Sequence, residues 1–197
     1  MVIKTREKLI DVARQLFAHK GIENTTMSDI ANASDKGRRT IYTYFKSKKE
    51  IYNAVIERES EQLVARLRDV VKSDLSPEEK LNRFIDLRVD VIVEAIMQYY
   101  DGNVMLRSLF MRNVKKIEKI RYMALEKERE ILDEIVREGL KSGVFDAERT
   151  RDLFPAVVMI SQGLELSYLR NNFTRLGLDK DMIKENIRHH ILSAITK

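Results

Sequence analysis

The chain has 197 residues, of which 44% are apolar and 34% charged, with only two prolines, seven glycines and no cysteine. This bounds it to one large domain or a small one joined to a medium one, with apolar material enough for a packed core. It excludes disulfides and thiolate chemistry, and it fits a reducing cytoplasm.

No apolar run approaches the roughly 18 residues of a membrane span, and the start, MVIKTREKLI, lacks a signal-peptide core. Scarce proline and glycine with plentiful Leu, Ile, Glu, Lys and Arg predict an all-α protein. The net charge is +5, and residues 1–50 hold 11 Lys/Arg against 6 Asp/Glu, whereas 25 stand against 25 in the remainder. The cationic excess is thus confined to the first quarter, as expected of a segment that meets phosphates.

Lys4 to Lys20 reads as a first helix, with Leu9, Ala13, Leu16 and Phe17 on one stripe and Gly21 as its stop. Thr26 is a good N-cap, and Asp29, three residues on, completes an acidic capping box. A second helix follows over Met27–Ala33. Ser34, Asp35, Lys36 and Gly37 supply a turn. A third short helix from Arg38 carries Ile41 and Phe45 inward, which leaves Arg38, Arg39, Thr40, Tyr42 and Tyr44 mostly on other faces. Two short helices joined by a turn of about four residues form a helix-turn-helix, whose second helix enters the major groove. Arginine forks suit guanine edges and phosphates, threonine suits a base or a thymine methyl, and tyrosine hydroxyls with Lys48 suit phosphates.

Ser47 and Glu50 open a long connector helix over residues 48–73, solvated at its waist between Glu57 and Gln62. Ser76-Pro77 with Glu79 starts the next helix, apolar nearly all round to Tyr100. Asp101-Gly102-Asn103 reads as a turn, Val104 to about Asn113 as a shorter helix, and Lys115–Leu140 as a long amphipathic one. A further helix is expected over about Ala147–Asn172, with Pro155 near its first turns and Gly163 where another helix comes close. Asp179 caps the last helix. In all, about nine helices are expected, with domain boundaries at residues 1–47 and 48–197.

From Ile10 to Val55 the chain resembles the N-terminal domain of the TetR family of bacterial transcriptional regulators. The resemblance rests on Ala13, Leu16-Phe17, Gly21, Thr25-Thr26, Ile30-Ala31, Thr40-Ile41-Tyr42, Tyr44-Phe45, Lys46 and Lys48. It implies that Thr26 contacts a phosphate while capping its helix, that the Arg38–Tyr44 helix reads the groove, and that Tyr42, Tyr44 and Lys48 grip the backbone of an operator duplex. The DNA-binding set expected on this basis is Thr25, Thr26, Gly37, Arg38, Arg39, Thr40, Tyr42, Tyr44, Lys46 and Lys48. Three positions depart from the family pattern: Arg39 replaces a small residue, Gly37 a serine cap and Asp35 a turn glycine. Operator sequence therefore does not carry over.

For the second domain the resemblance implies a four-helix homodimer interface from the last two helices of each subunit. Ile160, Gly163, Leu164, Ser167, Ile187, Ile191 and Ala194 are its candidates, with burial inside one subunit as the alternative for each. It also implies an effector pocket for a small apolar or aromatic molecule. Phe84, Arg88, Met97, Tyr99, Tyr100, Met105, Phe110, Met111, Met123, Met159, Gln162 and Tyr168 are candidates to line it, plain core being the alternative. Arg88, Asp90 and Glu94 stand out, since a buried charge needs a partner.

No phosphate-binding glycine loop and no nucleophile elbow occurs. His19 is remote in sequence from His189-His190, and adjacent histidines point apart on a helix, so neither a metal site nor a cofactor is expected and the chain does not read as an enzyme. Three functions stay open: a ligand-released repressor, a DNA-binding regulator of the same build without a small-molecule inducer, and a helical interaction module that has lost DNA binding.

Overall fold

The computed structural model describes the backbone of residues 2–99, 114–170 and 172–197, and the side chains of residues 4–94, 119–120, 122–168, 170 and 172–197. These residues form nine helices and no named strand: α1 (Val2–Lys20), α2 (Met27–Ala33), α3 (Arg38–Tyr44), α4 (Lys48–Lys72), α5 (Pro77–Tyr99), α6 (Val114–Ser142), α7 (Leu153–Leu169), α8 (Asn172–Arg175) and α9 (Lys180–Ile195). The expected helix over residues 104–113 lies outside the described residues. The chain divides into two compact units, Met1–Glu61 with Met97–Tyr122, and Gln62–Ile96 with Met123–Lys197. The division falls inside α4, α5 and α6.

In the first unit, α1 to α3 and the start of α4 enclose a small core. Leu9, Ala13, Phe17, Ile30, Ile41 and Ile51 are each fully shielded from water. The Phe17 and Tyr52 rings meet edge to face at 5.9 Å, an arrangement that satisfies the aromatic quadrupoles and locks α4 to α1. Gly21 ends α1 at φ +78°, a left-handed conformation glycine adopts without a Cβ penalty, and its N–H donates to the Phe17 carbonyl. Arg58 on α4 reaches back to Asp11 at 2.9 Å and Glu7 at 3.3 Å on α1.

In the second unit, a larger core gathers Leu63 and Leu67 from α4, Leu81, Phe84 and Ile85 from α5, Ile131, Leu132 and Ile135 from α6, and Ile183, Ile191 and Ile195 from α9. Its helices are also paired by charge. Arg68 reaches Glu134 at 2.5 Å, Lys80 reaches Glu138 at 2.7 Å, and Asp86 and Asp90 on α5 receive Arg188, Lys180 and Lys184 from α9 at 2.6–2.7 Å. Gly139 matters here through space alone. A Cβ built on it would lie 2.0 Å from the Phe145 ring, so only glycine lets that buried ring lie on the backbone of α6.

The structure corrects the start of α7, expected near Ala147 and found at Leu153. The Asp146 carboxylate accepts from the N–H groups of Glu148 and Arg149 at 2.9 and 3.0 Å as an N-cap would, and the Thr150 N–H donates to the Asp146 carbonyl. Arg151 and Leu153 then donate only three residues back, to Glu148 and Thr150, so the turn is not continued as α-helix before Leu153. Pro155 then falls in the first turn of α7, where its missing N–H has no partner to lose. At Gly163 no described residue lies within 4 Å of a built Cβ, so among the described residues of this chain no other helix closes on it.

Candidate nucleic-acid interface

The first unit fixes α2 and α3 by local chemistry. At the start of α2 the Thr26 hydroxyl accepts from the Asp29 N–H at 3.1 Å, and the Asp29 carboxylate accepts from the Thr26 N–H at 2.8 Å. The capping box of the sequence is therefore present. The Thr26 N–H and hydroxyl hold the Asp29 carboxyl below the usual carboxylate value, outweighing burial, with Lys20 adding to the effect. At the other end Asp35 takes φ +54°, the left-handed conformation that turns the chain from α2 toward α3.

Burial of Ile41 and Phe45 sets the roll of α3. Arg38, Arg39, Tyr42 and Thr43 are exposed, and Thr40 and Tyr44 are half-buried. Thr43 is an exposed member of this face that spacing alone left out; its hydroxyl donates to the Arg39 carbonyl at 3.2 Å. The N-cap of α3 is Gly37, extended at φ −63° and without a side-chain cap. Lys46 is exposed just past the helix, and its N–H donates to the Glu50 carboxylate at 2.7 Å.

Two of the expected DNA contacts have internal roles in the fold. Thr25 is fully buried, and its hydroxyl donates to the Gly21 carbonyl at 2.8 Å, so it shapes the approach to α2 and presents nothing to a ligand. The Nζ of Lys48, at the start of α4, donates to the Ile22 carbonyl at 2.6 Å and the Glu23 carbonyl at 3.2 Å. An ammonium has three N–H donors, so one remains for an outside acceptor. Periodicity cannot reveal such links, because they depend on how the loop between α1 and α2 folds back.

The effector candidates do not form one described cavity. Tyr100, Met105, Phe110 and Met111 lie outside the described residues, as do the side chains of Met97 and Tyr99. Phe84 is core, Met123 and Met159 are 55% and 71% exposed, Gln162 is exposed, and Tyr168 packs against Phe173 at 4.8 Å. The charge of Arg88 is paired within the fold, with Glu128 of α6. Burial pushes the Glu128 carboxyl above its ordinary value, against the charge and hydrogen bond of Arg88, while the Arg88 Nε is buried without a partner. A groove of about 210 Å³ between α6 and the start of α7, lined by Arg129, Asp133, Arg151 and Phe154 among others, includes none of the expected residues.

The dimer candidates also separate. Leu164 and Ile191 are buried in their own unit, Ile160 and Ile187 pack against that core, Ser167 is half-buried, and Gly163 and Ala194 are exposed. Among the described residues no cluster of His, Asp or Glu could hold a metal ion, and no helix is long and apolar enough to cross a membrane.

Residues 9–55 match the profile of the bacterial regulatory proteins, tetR family. Over 91 residues the chain is 32% identical to the probable acrEF/envCD operon repressor of Escherichia coli K12, covering 46% of this chain and 39% of that protein. A transcriptional regulator from Cytophaga hutchinsonii superposes with a TM-score of 0.78 at 24% identity, over 97% of this chain and 98% of that one. The regulator FadR from Bacillus subtilis, solved with stearoyl-CoA, superposes with a TM-score of 0.63 at 23% identity, over 96% and 98%. These structures share the fold, and the similar proteins are regulators of transcription, not enzymes. Residues 9–55, which hold the helix-turn-helix and the capped α2, are thus the part of the chain that matches the tetR-family profile, and the chain shares its fold with transcriptional regulators.

Proposed function

We propose that two copies of this chain bind a palindromic operator and repress transcription, with release by a small apolar or aromatic effector. The observation that supports it most is the roll of α3, which buries Ile41 and Phe45 and turns Arg38, Arg39 and Tyr42 outward beside Thr40 and Tyr44. Thr26, Lys46 and the free donor of Lys48 serve as phosphate contacts around that helix, and Gly37 lets a backbone approach its N-terminus. One such helix covers only a few base pairs, so pairing two copies supplies the missing contacts.

A homodimer is supported by the uncovered apolar side of α7, where Met159 and Leu166 are 71% and 48% exposed on either side of the open Gly163. Patches of this kind mark association surfaces. Release by an effector is supported by the stearoyl-CoA held by a protein of the same fold. One observation favours a regulator of the same build without an inducer: Arg88 already has its counter-charge in Glu128.

Genomic footprinting of the bound protein, followed by gel shifts on the recovered sites, tests the proposal. Protected sites with two-fold symmetry are expected, and apolar or aromatic metabolites should release them. Protein that ignores every duplex at low ionic strength would end the DNA reading, and sites that no metabolite releases would favour the regulator without an inducer.

A further inference from the structure

We propose that Arg6 of α1 is a phosphate-contacting residue, so that the DNA-binding surface extends beyond the helix-turn-helix onto the first helix. The inference rests on the DNA-binding reading above and adds a contact that neither periodicity nor the helix-turn-helix pattern assigned.

Arg6 lies one helical turn before Leu9 and Ile10, on the stripe that continues through Ala13 and Phe17 into the core. A residue at such a position would ordinarily be apolar. Instead the Arg6 guanidinium carbon stands 5.4 Å over the ring of Phe45, the C-cap of α3. Phe45 is 4% exposed, so its ring is a rigid platform, and the stem of Arg6 covers the end of the core while the charged head stays at the surface. The stacking uses the face of the guanidinium and leaves its edges, which carry the N–H donors, at the surface, where among the described residues only Nη1 has a partner, the neighbouring Glu7. This places an oriented fork at the C-terminal end of the reading helix, next to the exposed Lys46.

Arg6 does not spend its charge inside the fold. It pairs with its neighbour Glu7 at 3.3 Å, both side chains being more than 40% exposed, and Arg58 holds the same carboxylate at 3.3 Å. Exposed pairs of this kind contribute little and yield readily to a phosphate. At the other end of α3 the Lys8 Nζ lies 3.4 Å from Asp35, whose carboxylate is 88% exposed in the turn. The first helix therefore sets one cation at each end of α3, and the one on Phe45 is held in a fixed orientation.

The test uses the full chain and a labelled mixed-sequence duplex of about 30 base pairs, long enough for two half-sites one helical turn apart. Binding is followed by fluorescence anisotropy across a potassium chloride series. Three proteins are compared: wild type, Arg6→Met, which keeps a flexible stem on Phe45, and Arg6→Lys, which keeps the charge. Arg6→Met should bind all sequences more weakly, and its plot of log affinity against log salt should be shallower by about 0.9 for each bound copy. Arg6→Lys should keep the wild-type slope. A wild-type slope for Arg6→Met with unchanged helical circular dichroism would overturn the inference and leave the DNA reading standing. A shallower slope for Arg6→Lys, whose charge is intact, would also overturn it, since the effect would then come from lost packing. Failure of the wild type to bind at all would instead sink the DNA reading, and the inference with it.

Discussion

Lys48 Nζ donates to the Ile22 carbonyl oxygen at 2.6 Å, a link from the first turn of α4 to the loop that precedes α2. With the second bond, to Glu23, it fastens the loop from which Thr26 starts its cap. Lys48 is thus a structural residue of the first unit whatever it does to DNA. Lys48→Met should lower stability by about 1–2 kcal/mol, the range for hydrogen bonds to a charged donor that is partly exposed. Lys48→Arg should recover part of it. Denaturant unfolding of the three proteins decides, and equal midpoints would show that the two carbonyl contacts carry no stability.

Asp35 should be improvable. At φ +54° its side chain is strained where glycine would not be, and its exposed pair with Lys8 offsets little of that. Asp35→Gly should raise stability by roughly 0.5–1 kcal/mol and, by deleting an anion beside α3, tighten binding to every duplex. A lower melting temperature would show that the carboxylate contributes more to the turn than the strain costs.

Gly139 predicts the reverse of helix propensity. In an exposed helix Gly→Ala gains up to about 1 kcal/mol. Here the added methyl would enter the buried Phe145 ring, so Gly139→Ala should cost about 1–3 kcal/mol. Gly139→Ala combined with Phe145→Leu should recover part of that loss; equal loss in both proteins would point to the backbone instead.

Arg88 and Glu128 form a buried pair whose halves need each other. Glu128→Gln should cost about 3 kcal/mol or more, because it leaves the guanidinium of Arg88 without its counter-charge. The double change Arg88→Leu with Glu128→Leu should cost much less than twice that and keep the fold. A double mutant no better than the single would mean that the pair sets helix register.

Asp90 makes the α5–α9 contact acid-sensitive. Burial works to raise its carboxyl, but hydrogen bonds and charge from Lys180 and Lys184 outweigh burial and hold it below its ordinary value of 3.8. A carboxyl with a lower pKa folded than unfolded adds stability above the unfolded value and loses it as pH falls through the folded one. Wild type should therefore exceed Asp90→Asn in stability by a constant margin from neutral pH to about pH 5, and the margin should shrink below about pH 4. A margin independent of pH would remove the ion pairs from the account.

The limits of the sequence are physical. The capped start of α2, the inward Ile41 and Phe45 and the cap of α9 by Asp179 follow from local rules, and the structure has each of them. Thr25 and Lys48 read as exposed contacts because spacing assigns a face to a helix but says nothing about a loop folding back on it. Arg88 looked like half of a ligand site because its partner, Glu128, is far away along the chain. The helical start at Ala147 failed because the capped turn at Asp146 runs into three-residue bonds at Arg151 and Leu153, which periodicity does not foretell.

Arg58 joins α4 to two carboxylates of α1, one helical turn apart, while Tyr52 wedges against Phe17. A torque on the amino-terminal half of α4 would meet a joint braced at several points, so α1 would turn with it instead of peeling away. The output of such a unit is a change of position.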